Sequence, residues 1–115
     1  MEELLELFKS GQIAILIEYE NELFKNFVEY LDEAGWTTRP PMDNQIMNAS
    51  TYIKNYYNAW KYLCTTRNHD YLNLCSDTYV ENQNLTVIKI NDFLDKKEHL
   101  YEVELDELIW YYKKS

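Results

Sequence analysis

Gln12-Ile13-Ala14-Ile15-Leu16-Ile17-Glu18 and, just beyond it, the periodic stretch over residues 20–34 decide the fold of this chain. The first is an apolar run too short for a buried helix and rich in β-branched side chains, which predicts an interior strand. In the second, Leu23, Phe24, Phe27, Val28 and Leu31 recur at helical spacing and form one apolar stripe. Glu22, Lys25, Glu29, Asp32 and Glu33 occupy the opposite face, and Gly35 stands where a helix stop needs positive φ. A buried strand followed by a one-sided helix predicts an α+β layer.

Reading outward, Leu4, Leu5 and Phe8 predict a short opening helix over 2–8, with Gly11 as its left-handed stop. Residues 36–39 predict a brief strand ended by Pro40 and Pro41, and 42–50 a loop. Residues 51–79 are rich in Tyr, Thr, Trp and Leu, which suit a half-buried pleated surface. They predict a hairpin of 60–67 with 72–79 around Asn68-His69-Asp70-Tyr71, in a register that sets Cys64 opposite Cys75. A further strand is expected at 86–90, then a turn at Asn91-Asp92 and an apolar pair, Phe93-Leu94. The tail over 98–114 fits a strand at 101–105 followed by a helix, or one longer helix. The expected fold is a small, mainly antiparallel sheet of about four to five strands with one long helix packed on it, plus short N- and C-terminal helices. All 115 residues fall in one domain, with an acidic extension at 95–115.

Composition narrows the function classes. Hydrophobic residues at 46% and aromatics at 16% supply enough apolar surface to fold. With 2 Gly and 2 Pro there is no glycine-rich phosphate cradle and no proline-rich linker. No run approaches the roughly 18 apolar residues of a membrane span, and Met1-Glu2-Glu3 lacks a basic signal region, so the host-cell cytoplasm is the expected location. The net charge of −9 repels nucleic acid and anionic membrane and attracts basic protein surfaces. It is uneven: residues 1–35 carry −7, 36–69 carry +3 and 70–115 carry −5.

The candidates for reactive chemistry are few. Cys64, His69, Cys75 and the distant His99 do not match a zinc spacing, and the paired thiols are expected to stay reduced and packed. Neither histidine stands in a nucleophile motif, and carboxylate pairs arise by chance among 20 acids. The expectation is therefore no enzyme, no cofactor and no metal. Tyr52, Tyr56, Tyr57, Trp60 and Tyr62, with Arg39, Lys54, Lys61 and Arg67, form a basic aromatic middle able to stack a base and neutralise phosphate. Within it Arg39, Tyr57, Trp60 and Arg67 are the candidate small-ligand residues.

Three segments carry a resemblance: Leu7-Phe8-Lys9-Ser10-Gly11-Gln12-Ile13-Ala14-Ile15, Leu31-Asp32-Glu33-Ala34-Gly35-Trp36, and Leu85-Thr86-Val87-Ile88-Lys89-Ile90-Asn91-Asp92-Phe93-Leu94. Together they resemble small proteins of phages and prophages of the anti-defence, anti-CRISPR-like type. The likeness spans residues 4–94 as a pattern of elements. It departs where the group's meander glycines are replaced by Asn68-His69-Asp70 and where the acidic tail follows Leu94.

Resemblance and charge together imply a phage or mobile-element accessory protein that inhibits a host defence or nucleic-acid enzyme by direct binding through a DNA-mimic-like surface. The expected partner is a basic, nucleic-acid-binding host protein, with no direct binding of nucleic acid and none of membrane. The acidic face is assigned to Glu22, Glu29, Asp32, Glu33, Glu98, Glu102, Glu104, Asp106 and Glu107. Two other readings fit: a sponge for a cyclic nucleotide immune signal, similar to anti-Thoeris proteins, or an immunity protein or antitoxin masking a basic toxin. Aromatic excess, with Trp110-Tyr111-Tyr112 near the end, leaves room for a homodimer through the tail.

Overall fold

The computed structural model of the chain describes residues 2–39 and 46–92. In chain order these form α1 (Glu2–Lys9), β1 (Ile13–Leu16), α2 (Glu22–Glu33), α3 (Ala49–Tyr56), β2 (Tyr62–Thr65), β3 (Leu72–Cys75), α4 (Asp77–Asn82) and β4 (Thr86–Ile88), with a further helical turn over 90–92. The strands make one four-stranded sheet in the order β3-β2-β1-β4. β1 runs antiparallel to β2 and parallel to β4, and β2 and β3 form an antiparallel hairpin.

The α+β class holds, while two finer expectations are corrected. Because β4 returns to pair parallel with β1, the sheet is mixed rather than mainly antiparallel. In place of one long helix, the 12-residue α2 is joined by α3, which packs against it. The segment 51–56, expected in a sheet, is thus helical. Asn48 caps it by accepting from Thr51 N–H at 2.9 Å, and Ala49 and Ile53 turn inward one helical turn apart.

Alternation along the strands divides two cores. Ile13, Ile15, Leu63, Leu72, Leu74 and Ile88 point to one face, where they pack with Leu4, Leu7 and Phe8 of α1, Phe24, Phe27 and Leu31 of α2, and Ile53 of α3. On the other face Ala14, Tyr62, Cys64 and Cys75 pack with Val80 of α4, flanked by Leu16, Tyr79 and Leu85. All four residues of β2 are buried, as a strand covered on both sides requires.

Residues 72–79 do not continue as one strand. Ser76 accepts from Tyr79 N–H at 3.4 Å and starts α4, which turns back across the second face. Asp77 at its first turn accepts from the Tyr62 hydroxyl at 2.7 Å and pairs with Lys61 at 3.2 Å. These two partners, Tyr62 first, hold the Asp77 carboxyl below its ordinary range. Its contribution to stability is thus present at neutral pH and lost as pH falls through that lowered value.

The hairpin register also differs from the expected one. Tyr62 faces Cys75, Leu63 faces Leu74, Cys64 faces Asn73 and Thr65 faces Leu72, a shift of two positions on one strand. The turn explains it: His69 N–H donates to the Thr66 carbonyl at 2.8 Å, His69 adopts φ 61°, and the Thr66 hydroxyl donates to Asp70 at 2.8 Å. The reversal therefore centres one residue earlier than Asn68-His69-Asp70-Tyr71 places it. Residues 36–39 make isolated bridges, Thr37 to Asn48 and Thr38 to Leu72, instead of a strand. Within 42–50, Asn48 bridges and Ala49 already begins α3. β4 ends at Ile88, and Asn91 and Asp92 lie in the helical turn. Phe93-Leu94, the acidic extension, the alternatives for 98–114 and the tail dimer surface lie outside the described residues.

Both expected glycine stops are present, with Gly11 at φ 71° and Gly35 at φ 85°. At the end of α2, Trp36 N–H reaches the Leu31 carbonyl and Gly35 N–H the Asp32 carbonyl, both at 3.0 Å, which satisfies two terminal acceptors. Gly35→Ala is expected to cost about 1–2 kcal/mol from backbone strain alone, since a Cβ there meets nothing within 4 Å. Gly11→Ala is expected to cost more, because its Cβ would lie 2.3 Å from the His69 ring and the imidazole must move as well. Urea unfolding of both variants checks the order, and His69→Ala should close the gap between them.

Candidate partner-binding surface and adjoining pockets

α2 is the element that presents the described part of the acidic face. The Asn21 side chain accepts from Leu23 N–H at 2.8 Å and Phe24 N–H at 3.2 Å, and it donates to Asn91 at 3.2 Å. The start of the helix is thereby fixed to the far end of the chain's described part. Its inner face is anchored by Phe24, Phe27 and Leu31, all at 1% exposure or less. A carboxylate carried outward on such a helix loses little freedom when a partner engages it.

Glu22, Glu29 and Glu33 are exposed and share a side of α2, since seven and four residues are close to whole numbers of turns. They span roughly 16 Å of helix at about 1.5 Å per residue. Glu22 has Lys25 at 3.7 Å, whereas no cation among the described residues lies within ion-pair distance of Glu29 or Glu33. Asp32 does not belong to this stripe. It is turned toward α3, where its carboxylate accepts from Ser50 N–H at 3.2 Å and from the Ser50 hydroxyl. It joins α2 to the first turn of α3. Glu98, Glu102, Glu104, Asp106 and Glu107 lie outside the described residues.

The small-ligand set is scattered. Trp60 precedes β2 and Arg67 follows it, so roughly 20 Å of extended chain at about 3.3 Å per residue separates them. Trp60 is 43% exposed and Tyr57 is half-buried, its ring stacked on Tyr19 with centroids 4.0 Å apart. Arg39 is exposed after Thr38, which bridges the outer edge of β3. Of these four, Arg67 alone lines either of the two concavities described next.

Two concavities bounded by described residues take their place. An apolar groove of about 220 Å³ runs between α2 and α3 over Phe24, Val28 and Ile53, with Lys25, Glu29 and Lys54 at its rim. A polar pocket of about 150 Å³ lies beside the β2–β3 turn, between Gly11, Cys64, Arg67, His69 and Gln83. Sequence reasoning missed both, because each is made by elements distant in the chain. Among the described residues no group of three or more His, Cys, Asp or Glu could hold a metal ion, and no helix is long and apolar enough to cross a membrane. His99 lies outside them.

No family model, curated protein or solved structure matches this chain.

Proposed function

We propose that this protein is a non-enzymatic blocker that binds a basic, nucleic-acid-binding host protein through its acidic surface. The observation that carries the reading is the exposed row Glu22, Glu29 and Glu33 on a capped helix whose other side is locked into the core. Three charges over roughly 16 Å are sparser than the one charge per about 3.4 Å of a single DNA strand. The attraction is therefore that of a concentrated acidic face, with the nine-acid region 1–35 around it, more than an atom-for-atom copy of phosphates. Such a face raises the encounter rate with a basic groove and loses its grip as salt screens it.

Neither of the two concavities described above lends support to a nucleotide sponge. At about 220 and 150 Å³ both concavities fall short of the roughly 300 Å³ at which pockets begin to enclose drug-sized ligands. The phage-like pattern of elements adds support for a host target of the defence or nucleic-acid-enzyme class.

The test compares the whole chain with Glu22→Gln/Glu29→Gln/Glu33→Gln, each immobilised and exposed to host lysate at low salt. The native chain is expected to retain basic nucleic-acid enzymes that about 0.5 M salt releases, at a Debye length near 4 Å. For any partner retained, association with the triple variant should be about tenfold slower. Retention that ignores both salt and the three substitutions would end the proposal.

A further inference from the structure

Independently of the acidic face, a second feature of the fold points to chemistry. Cys64 in β2 and Cys75 in β3 are buried at 1% and 2% exposure, and their Sγ atoms are 3.0 Å apart. They are diagonal neighbours, since Cys64 faces Asn73 and Cys75 faces Tyr62. Register and parity bring both sulfurs to the same side of the sheet, under α4. Both are free thiols. Cys64 also belongs to the wall of the 150 Å³ polar pocket, beside Arg67 and His69. Bond formation requires the sulfurs to close from 3.0 Å to the bonded distance of about 2.05 Å.

We propose that Cys64 and Cys75 form a peroxide-oxidisable dithiol, entered through the polar pocket and closing to an intramolecular disulfide. The pocket's size sets the oxidant class. At about 150 Å³ it admits a molecule the size of hydrogen peroxide, whose neighbour water occupies about 30 Å³, and excludes a bulky peptide disulfide. The chemistry balances in two steps. In the singly deprotonated pair Cys64 passes its proton along the bond it already donates to Cys75, and its Sγ, now the thiolate, attacks one peroxide oxygen; the O–O bond breaks, hydroxide leaves, and Cys64 becomes a sulfenic acid. Cys75 Sγ then attacks the Cys64 sulfur, the S–O bond breaks, water leaves, and the S–S bond forms. Overall the two thiols give up two electrons and two protons, and one peroxide is reduced to two waters.

Electrostatics set the pace. Donation to Cys75, then burial, push the Cys64 thiol up, while Cys75, accepting that bond, is held below the ordinary thiol range. The pair behaves as one unit that gives up a first proton more readily than a second. Oxidation should accordingly quicken as pH rises, since more of the pair carries a thiolate.

The experiment exposes the folded, reduced chain, freed of reductant, to hydrogen peroxide at several pH values, then unfolds it in an alkylating agent and measures intact mass. The expected result is a monomer lighter by two hydrogens with no alkylatable thiol left, against two before treatment, and full recovery with dithiothreitol. Cys75→Ser should stop at a sulfenic acid on Cys64 that dimedone traps. Two thiols still alkylatable after peroxide has oxidised the methionines would overturn the proposal. So would a disulfide found only between two chains, or oxygen added at cysteine without loss of hydrogen. The mass of the native chain decides the matter even where a serine variant fails to fold.

Discussion

Phe27→Ala is expected to remove about 3–5 kcal/mol, a large part of the roughly 5–15 kcal/mol that keeps a domain of this size folded. Phe27 is fully buried at the centre of the larger core. Its ring meets the edge of Phe8 at 6.0 Å and 79°, and Phe8 in turn meets Trp36 at 5.2 Å and 72°. Truncation therefore opens a cavity between α1 and α2 and leaves Phe8 without one of its two ring partners among the described residues. Aromatic pairs of this geometry contribute about 0.5–1.5 kcal/mol beyond the area they bury, so the loss falls toward the upper end of the range. Urea unfolding followed by circular dichroism measures it, with Ile46→Ala as the reference. Ile46 is 59% exposed, and its truncation should change stability by no more than about 0.5 kcal/mol. A Phe27→Ala loss below about 1.5 kcal/mol would show that the two helices do not close on each other as described.

That core was largely legible in the sequence, and the reason is periodicity. The run around Ile15 alternates nothing and is too short for a helix, while the α2 stripe repeats over nearly three turns, so each pattern admits one reading. Both stop glycines were legible for the same reason: each follows the last apolar residue of a helical pattern. Helix α3 was not. Its Ser50-Thr51-Tyr52-Ile53 prefers strands by propensity, and the deciding facts are tertiary. Asp32, 18 residues away, accepts from Ser50, and Ile53 fills the core. α4 hid in the same way, because Ser76 is a weak signal until its hydroxyl is seen to accept from Tyr79 N–H. Its end uses Asn84 at φ 52° where a glycine would have announced the stop.

The candidate surface divides along similar lines. Glu22, Glu29 and Glu33 were readable as one face because helical spacing alone places them. The removal of Asp32 from that face depends on Ser50 and could not be read locally. Arg67 and Trp60 belong to one basic stretch of sequence, yet a strand runs between them and carries them to opposite ends. The thiol pair survived an error of register. Moving the partner strand by two positions preserves the face on which each side chain lies, so Cys64 and Cys75 meet diagonally instead of directly.

Ile15→Asp should abolish the native fold at neutral pH, and its neighbour in the sheet supplies the contrast. Ile15 is the position where both ladders of the central strand meet, facing Leu63 on one side and Ile88 on the other, and it is fully buried. A carboxylate there has no described cation beside it. An uncompensated buried charge costs about 3–5 kcal/mol or more, added to the lost packing of the isoleucine, and the sum rivals the stability of the whole domain. Protonation lessens the penalty. The folded-state pKa of the new group is raised above the ordinary value near 3.9, so the variant is least impaired below that value and loses stability as pH rises through the raised one. Val87, on β4, faces Ala14 one register step away and points to the opposite side of the sheet, where it is 40% exposed. Val87→Asp should therefore cost less than about 1 kcal/mol and show little added pH dependence. Circular dichroism of both variants from neutral to acid pH, each compared with the native chain at the same pH, measures the difference. Equal losses at the two positions would mean that β1 and β4 do not pair in this register, which sets Ile15 and Val87 on opposite faces of the sheet.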